Sequence, residues 1–107
     1  MSKQRAKGTR WATRVENFLA MEGIRPRRQP LYGENDRGDI HVGPIDSPVV
    51  IECKDQARHS LAEWLDEANT EVQNAGGVIG VAWFHRRGKA SSADCFVLMD
   101  GRSFAYL

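Results

Sequence analysis

Little in this 107-residue chain supports a disulfide scaffold, a zinc site or a membrane span. Its two cysteines, Cys53 and Cys95, fall in apolar, strand-like runs and read as reduced core residues. Its three histidines, His41, His59 and His85, are too scattered for zinc-ligand spacing. No apolar run approaches the roughly 18 residues of a spanning helix. The polar, basic start has no apolar signal core. A cytoplasmic protein without membrane contact is expected. The length suits one domain with a modest core, and there are no internal repeats or low-complexity tracts.

A single-sign charge excess is also missing, but the net charge of +1 hides an asymmetry. Residues 1–38 carry nine Lys/Arg against four Asp/Glu, a net of +5, and the remainder carries six against ten, a net of −4. A basic third joined to an acidic body points to a polyanion partner for one surface.

The chain reads as a flexible basic arm over residues 1–8 followed by a single domain over 9–107. A helix is expected from Thr9, as N-cap, to Gly23, with Trp11, Val15, Phe18 and Leu19 on its apolar stripe. Glu16 borders that stripe, as an edge carboxylate or as one reaching inward. Strands are expected at Gln29–Tyr32, Gly38–Val42 and Val49–Lys54, with turns at 33–36 and 43–48 between them. Ser60 and Glu63 form a capping box for a helix over Leu61–Asn74. On it, Leu61, Trp64, Leu65, Ala68 and Val72 share one face, and the row Glu63, Glu67 and Glu71 reads as a solvated one. Gly76-Gly77 ends the helix ahead of an apolar central strand, Val78–Phe84. A basic loop over 85–93, a strand over Asp94–Met99 and a short edge strand over Phe104–Leu107 complete the chain. This α-β-β-β-α-β order predicts a mixed α/β domain with a helix on each side of one sheet.

Within that frame three residues stand out. A strand sends alternate side chains to opposite faces, so Glu52 and Lys54 project together while Ile51 and Cys53 turn away. They end an apolar run that reads as an interior strand, where charged groups need a partner, a metal or a substrate. Asp39 lies one hairpin upstream. Two carboxylates on adjacent strands make a hard oxygen site suited to Mg²⁺ or Mn²⁺. A nearby lysine can hold a water or a phosphate oxygen, which is equipment for phosphodiester hydrolysis. The plainer alternative is an ion pair at a sheet end.

The element order, with Gly38-Asp39-Ile40 on the second strand and Ile51-Glu52-Cys53-Lys54 on the third, resembles the PD-(D/E)XK nuclease superfamily. Gly38 stands where that family usually has proline. Lys7-Gly8-Thr9 leading into a helix with Glu16, and Gly76-Gly77 before the apolar strand, are similar to the small Holliday junction resolvases of archaeal and phage type. The resemblance spans roughly residues 7–84. It implies a restriction-endonuclease-like core. It also implies a Mg²⁺-dependent, structure-selective DNA endonuclease of recombination and repair, with Mn²⁺ able to substitute. Glu16, Asp39 and Glu52 would hold the metal with the backbone carbonyl of Cys53, and Lys54 would orient the attacking water. Two symmetric nicks across a junction imply a homodimer. Lys7, Arg10, Arg14, Arg27 and Arg28 would grip phosphates, with Arg86, Arg87 and Lys89 as a second set.

Two other readings use the same residues. One is a nicking or restriction-type endonuclease, although 107 residues leave little room for base-reading elements. The other is a non-catalytic DNA-binding module with a relic site, against which the intact Asp39, Glu52 and Lys54 argue.

Overall fold

The computed structural model describes residues 3–30 and 35–107. Helix α1 spans Lys3–Met21, with side chains described from Lys7 onward. It is followed by β1 (Arg27–Arg28), β2 (Ile40–Val42), β3 (Val49–Lys54), α2 (Leu61–Ala75), β4 (Ile79–Phe84), β5 (Phe96–Leu98) and α3 (Gly101–Ala105). The strands form one five-stranded sheet in the order β1-β2-β3-β4-β5. Neighbours pair antiparallel except β3 and β4, which run parallel because α2 crosses over between them. The chain is thus a mixed α/β fold, and no helix among the described residues is long and apolar enough to cross a membrane.

Strand alternation divides the core into two layers. Ile51, Cys53, Val81 and Trp83 turn towards Trp11, Ala12, Val15 and Leu19 of α1. Trp11 fixes that layer by donating its indole N–H to the Trp83 carbonyl at 3.0 Å. The opposite parity faces α2, where Trp64 packs on Ala82 and Phe84. Helix α2 lies close on the sheet at Gly80, where a Cβ would meet Val72 Cγ2 at 2.5 Å and the Ala68 carbonyl at 3.0 Å. β4 is buried along its whole length, as its continuous apolar run requires.

Several local expectations need correction. Residues 3–8, expected as an arm ahead of the domain, are helical. α1 begins at Lys3, because the Lys, Gln, Arg and Ala that follow are good helix formers and Gly8 is tolerated inside the helix. Thr9 is therefore an interior residue rather than a cap. The first strand pairs at Arg27–Arg28, opposite His41 and Ile40, ahead of the expected start at Gln29. Gln29 still donates to the Asp39 carbonyl at 2.9 Å, but Pro30 has no N–H to extend the ladder. Leu31, Tyr32, Gly33 and Glu34 lie outside the described residues.

Ser60 precedes α2 as expected but makes no side-chain capping bond, since its backbone (φ −116°, ψ 71°) is not in a capping geometry. The C-terminal segment is helical rather than a strand. Asp100 caps α3 by accepting the Ser103 N–H at 2.7 Å, which turns Asp100-Gly101 into a helix start.

Gly38 is the backbone position on which the site depends. Its φ is +88°, and a Cβ there would meet Val50 Cγ1 at 2.6 Å and the Ile51 carbonyl at 3.3 Å. Gly38→Ala is expected to lower stability by about 2–3 kcal/mol, combining left-handed strain with overpacking. Urea unfolding would measure it, and a loss under about 0.5 kcal/mol would contradict this account.

Candidate metal centre

Asp39 sits between Gly38 and β2 and is held by backbone pairing. Its N–H donates to the Ile51 carbonyl at 2.9 Å, and its Oδ2 accepts the Cys53 N–H at 2.8 Å. Cys53 therefore meets Asp39 through its amide. Its thiol lies on the α1 side, where burial first and the charge of Asp39 second push its pKa well up. Glu52 projects to the other face of β3, buried at 9% exposure. Asp39, Glu52 and Cys53 share a recess with Arg28, Gly8 and Thr9.

Lys54 is on the Glu52 face, as strand alternation predicts. Its Nζ lies 3.9 Å from Glu52 Oε1 and 2.5 Å from Glu67 Oε2 on α2. Burial pulls its pKa down, but the hydrogen bond it donates to Glu67 and the charge of Glu52 more than offset this, and the net shift is upward. The ammonium thus stays charged. Among the described residues only the Glu67 contact is of hydrogen-bond length, so two of the three N–H donors can turn to a water or phosphate oxygen.

The row Glu63, Glu67 and Glu71 is not a uniformly solvated face. Glu71 is 3% exposed, and no N–H or hydroxyl among the described residues donates to its carboxylate oxygens, which share a hydrogen bond only with the Glu52 carboxyl. Oxygens of Asp36, Glu52 and Glu71 lie within 4.8 Å of one another. The Asp36 loop is tied down from three sides. Asp36 Oδ1 accepts the Gly38 N–H at 2.9 Å, and its carbonyl accepts Asn74 Nδ2 at 2.8 Å from α2. His41 donates from Nε2 to the Arg37 carbonyl at 2.6 Å, and burial holds its pKa below the ordinary value, so the ring is neutral.

Glu16 is placed elsewhere. It pairs with Arg28 at 3.2 Å and does not belong to the close carboxylate group. Arg28 also donates to Thr13 Oγ1 at 3.0 Å. Glu16 borders the site through Arg28 rather than reaching Asp39 or Glu52.

The expected phosphate contacts divide in a similar way. Arg14 lies over the Trp11 ring and donates to the Ala90 carbonyl, and Arg86 lies 5.3 Å over the Phe96 ring. Arg27 turns Nη2 into a buried position where no described group accepts from it. Arg10, Arg87 and Lys89 are exposed. Lys7, at 3.7 Å from Asp55, lines one recess with Arg87 and His85 and another with Lys54 and Arg58. Arg58 was not singled out from the sequence, and it has no motif to mark it.

A metal ion is consistent with this donor set. The buried oxygens of Glu71, met by no N–H or hydroxyl donor among the described residues and set against Glu52, are hard ligands without a positive counterpart. Asp39 and Glu52 on one side, and Asp36 and Glu71 on the other, are the residues that could hold it.

The carboxylates also set a pH dependence. Burial, then the neighbouring Glu71 and the charge of Asp39, raise the pKa of Glu52 far above the ordinary value of 4.5. Burial likewise raises Glu71, to about 7. Between the ordinary value and these raised ones the folded state binds more protons than the unfolded chain, so folding stability falls as pH rises. Cation-free protein in chelator should melt lower at about pH 8 than at about pH 5.5, and Glu71→Gln should flatten that dependence. Thermal melts across pH check this. A melting temperature that climbs over the same interval would refute it.

No family model, curated protein or solved structure matches this chain, and its chemistry is therefore read from its own residues.

Proposed function

We propose that this chain is a divalent-cation-dependent DNA endonuclease of the PD-(D/E)XK type, working as a homodimer on four-way junctions. The observation that carries the reading is the convergence of Asp39, Glu52 and Lys54, from two paired segments, on a buried acidic group without enough internal partners. The α-β-β-β-α-β succession and the parallel β3–β4 pair support the restriction-endonuclease-like assignment.

Each residue then has a defined task. Asp39 and Glu52 hold the cation, Mg²⁺ or Mn²⁺, which when bound lends Lewis acidity to the scissile phosphate. The Cys53 amide aims Asp39 by donating to Oδ2, which holds the carboxylate beside Glu52. Glu67 anchors Lys54 so that its remaining N–H groups can orient the attacking water and offset charge growing on the phosphate oxygens. Lys7, Arg58 and Arg87, around the recesses beside Lys54, suit backbone phosphates rather than bases. Shape-based selection of a branched duplex fits so small a chain, and two symmetric nicks need two copies.

The deciding experiment is a nicking assay on four-way junctions beside linear duplex, with Mg²⁺ and with chelator. Asp39→Asn is expected to abolish cleavage while junction binding persists. Lys54→Ala should slow turnover by roughly 10²-fold or more, with Lys54→Arg an incomplete rescue. Full activity in Asp39→Asn, or no Mg²⁺-dependent cutting by the wild type, would refute the proposal. Equal cutting of linear duplex would refute the junction preference alone.

A salt titration tests the basic track. Lys7→Ala and Arg87→Ala should each make the slope of log affinity against log salt shallower by about 0.9. Arg28→Ala, which breaks an internal pair, should change the slope less. An unchanged slope in the Lys7/Arg87 double variant would remove these residues from the DNA contact.

A further inference from the structure

The acidic group extends past the Asp39 side of Glu52. Asp36, Glu52 and Glu71 come from a loop, a strand and a helix, and each offers an oxygen within 4.8 Å of the other two. A cation held at about 2.1 Å (Mg²⁺) to 2.4 Å (Ca²⁺) places opposed ligand oxygens about 4.2–4.8 Å apart. The spread therefore matches a shared ion with a shift of under about 1 Å.

Closeness of carboxylates alone would mean little. The independent observation is that Glu71 is 3% exposed, yet no N–H or hydroxyl of any described residue donates to either oxygen, and the one group hydrogen-bonded to it is the Glu52 carboxyl of the same cluster. Native proteins seldom bury a carboxylate with so few of its acceptor sites filled. Its other neighbours do not fill the rest. Asn74, one turn further along α2, spends its amide on the Asp36 carbonyl. Lys54 donates to Glu67 instead. Glu71 instead faces oxygens of two further acidic residues, Asp36 and Glu52.

We propose that Asp36, Glu52 and Glu71 form a second divalent-cation position, on the α2 side of Glu52, so that Glu52 is shared with the position beside Asp39. The catalytic meaning of this second ion rests on the nuclease reading, but the site itself stands on the carboxylate geometry. Asp36 is well placed for the task. Its Oδ1 is fixed by the Gly38 N–H and its carbonyl by Asn74, so the loop is already docked on α2. Lys54, held by Glu67 one turn before Glu71, marks the boundary between this position and the phosphate-facing side.

The test counts bound Mn²⁺ on the full chain without DNA, by electron paramagnetic resonance of free Mn²⁺ and by calorimetry. Two sites per chain are expected for the wild type. Glu71→Gln should lose one of them, or weaken it by about 100-fold, and leave the other within about threefold. Asp36→Asn should do the same and serves as the second variant should Glu71→Gln fold poorly. Asp39→Asn should weaken the other site. Glu63→Gln/Asp66→Asn, altering exposed acids on the same helix, should leave both.

One Mn²⁺ per wild-type chain would overturn the inference, as would two sites that survive both Glu71→Gln and Asp36→Asn. Loss of a site in Glu63→Gln/Asp66→Asn would assign the second ion to the helix surface and overturn it too. Two sites with the expected variant pattern, in a protein that cuts no DNA, would uphold the cation position while refuting the nuclease. One site in a protein that cuts junctions would do the reverse.

Discussion

Glu52 is a carboxylate on the inward face of a central strand, and helix α2 lays a second buried carboxylate against it. Apolar burial stabilises everything around this pair, while the pair itself opposes folding unless it is protonated or neutralised by a cation. Much of the local architecture follows from tolerating it. Gly38 lets the chain turn tightly enough to bring Asp39 onto the Cys53 amide. Gly80 lets α2 approach the sheet closely enough for Glu71 to be enclosed. Neither glycine could carry a side chain without moving a wall of the site.

The basic third of the sequence serves the fold as well as any polyanion it meets. Arg28 and Arg14 are partly committed to the fold, to Glu16 and Thr13 in one case and to Trp11 and Ala90 in the other. Such surface pairs contribute modestly to stability, but they orient guanidinium groups along α1. Lys7 and Arg87, distant in sequence, meet in one recess because α1 packs against the same sheet layer from which the 85–93 loop emerges. A count of charges along the chain cannot separate these uses, since both produce the same composition.

Strand-borne features were the most legible in the sequence. Alternation over Val49–Lys54 separated Ile51 and Cys53 from Glu52 and Lys54, and the structure keeps that division. The apolar run after Gly76-Gly77 identified the buried central strand. Helix-borne features were harder. Glu63, Glu67 and Glu71 fall at i+4 steps and look like one stripe, but 3.6 residues per turn rotates each step slightly. By Glu71 the row has drifted under the helix. The buried residues of α2 are Trp64, Ala68, Glu71 and Ala75, at i, i+4, i+7 and i+11. That spacing was present in the sequence, and testing each glutamate against Trp64 rather than against its acidic neighbours would have found it. Asp36 was less accessible to such reasoning, because its place depends on contacts from Asn74 and Gly38 that no local pattern encodes.

The same geometry bears on which helix completes the carboxylate set. The family resemblance assigns that role to Glu16 on α1. In this structure Glu16 spends its charge on Arg28, whereas α2 supplies Glu71 to the site and Glu67 to Lys54. The two helices pack on opposite faces of the sheet, and Glu52 points to the α2 face by strand parity. A residue on α1 must therefore approach from around the strand end, while a residue on α2 approaches directly. Parity at one strand position thus favours α2 as the source of further ligands to Glu52. It leaves Arg28, already in the recess with Asp39, as the link through which α1 reaches the site.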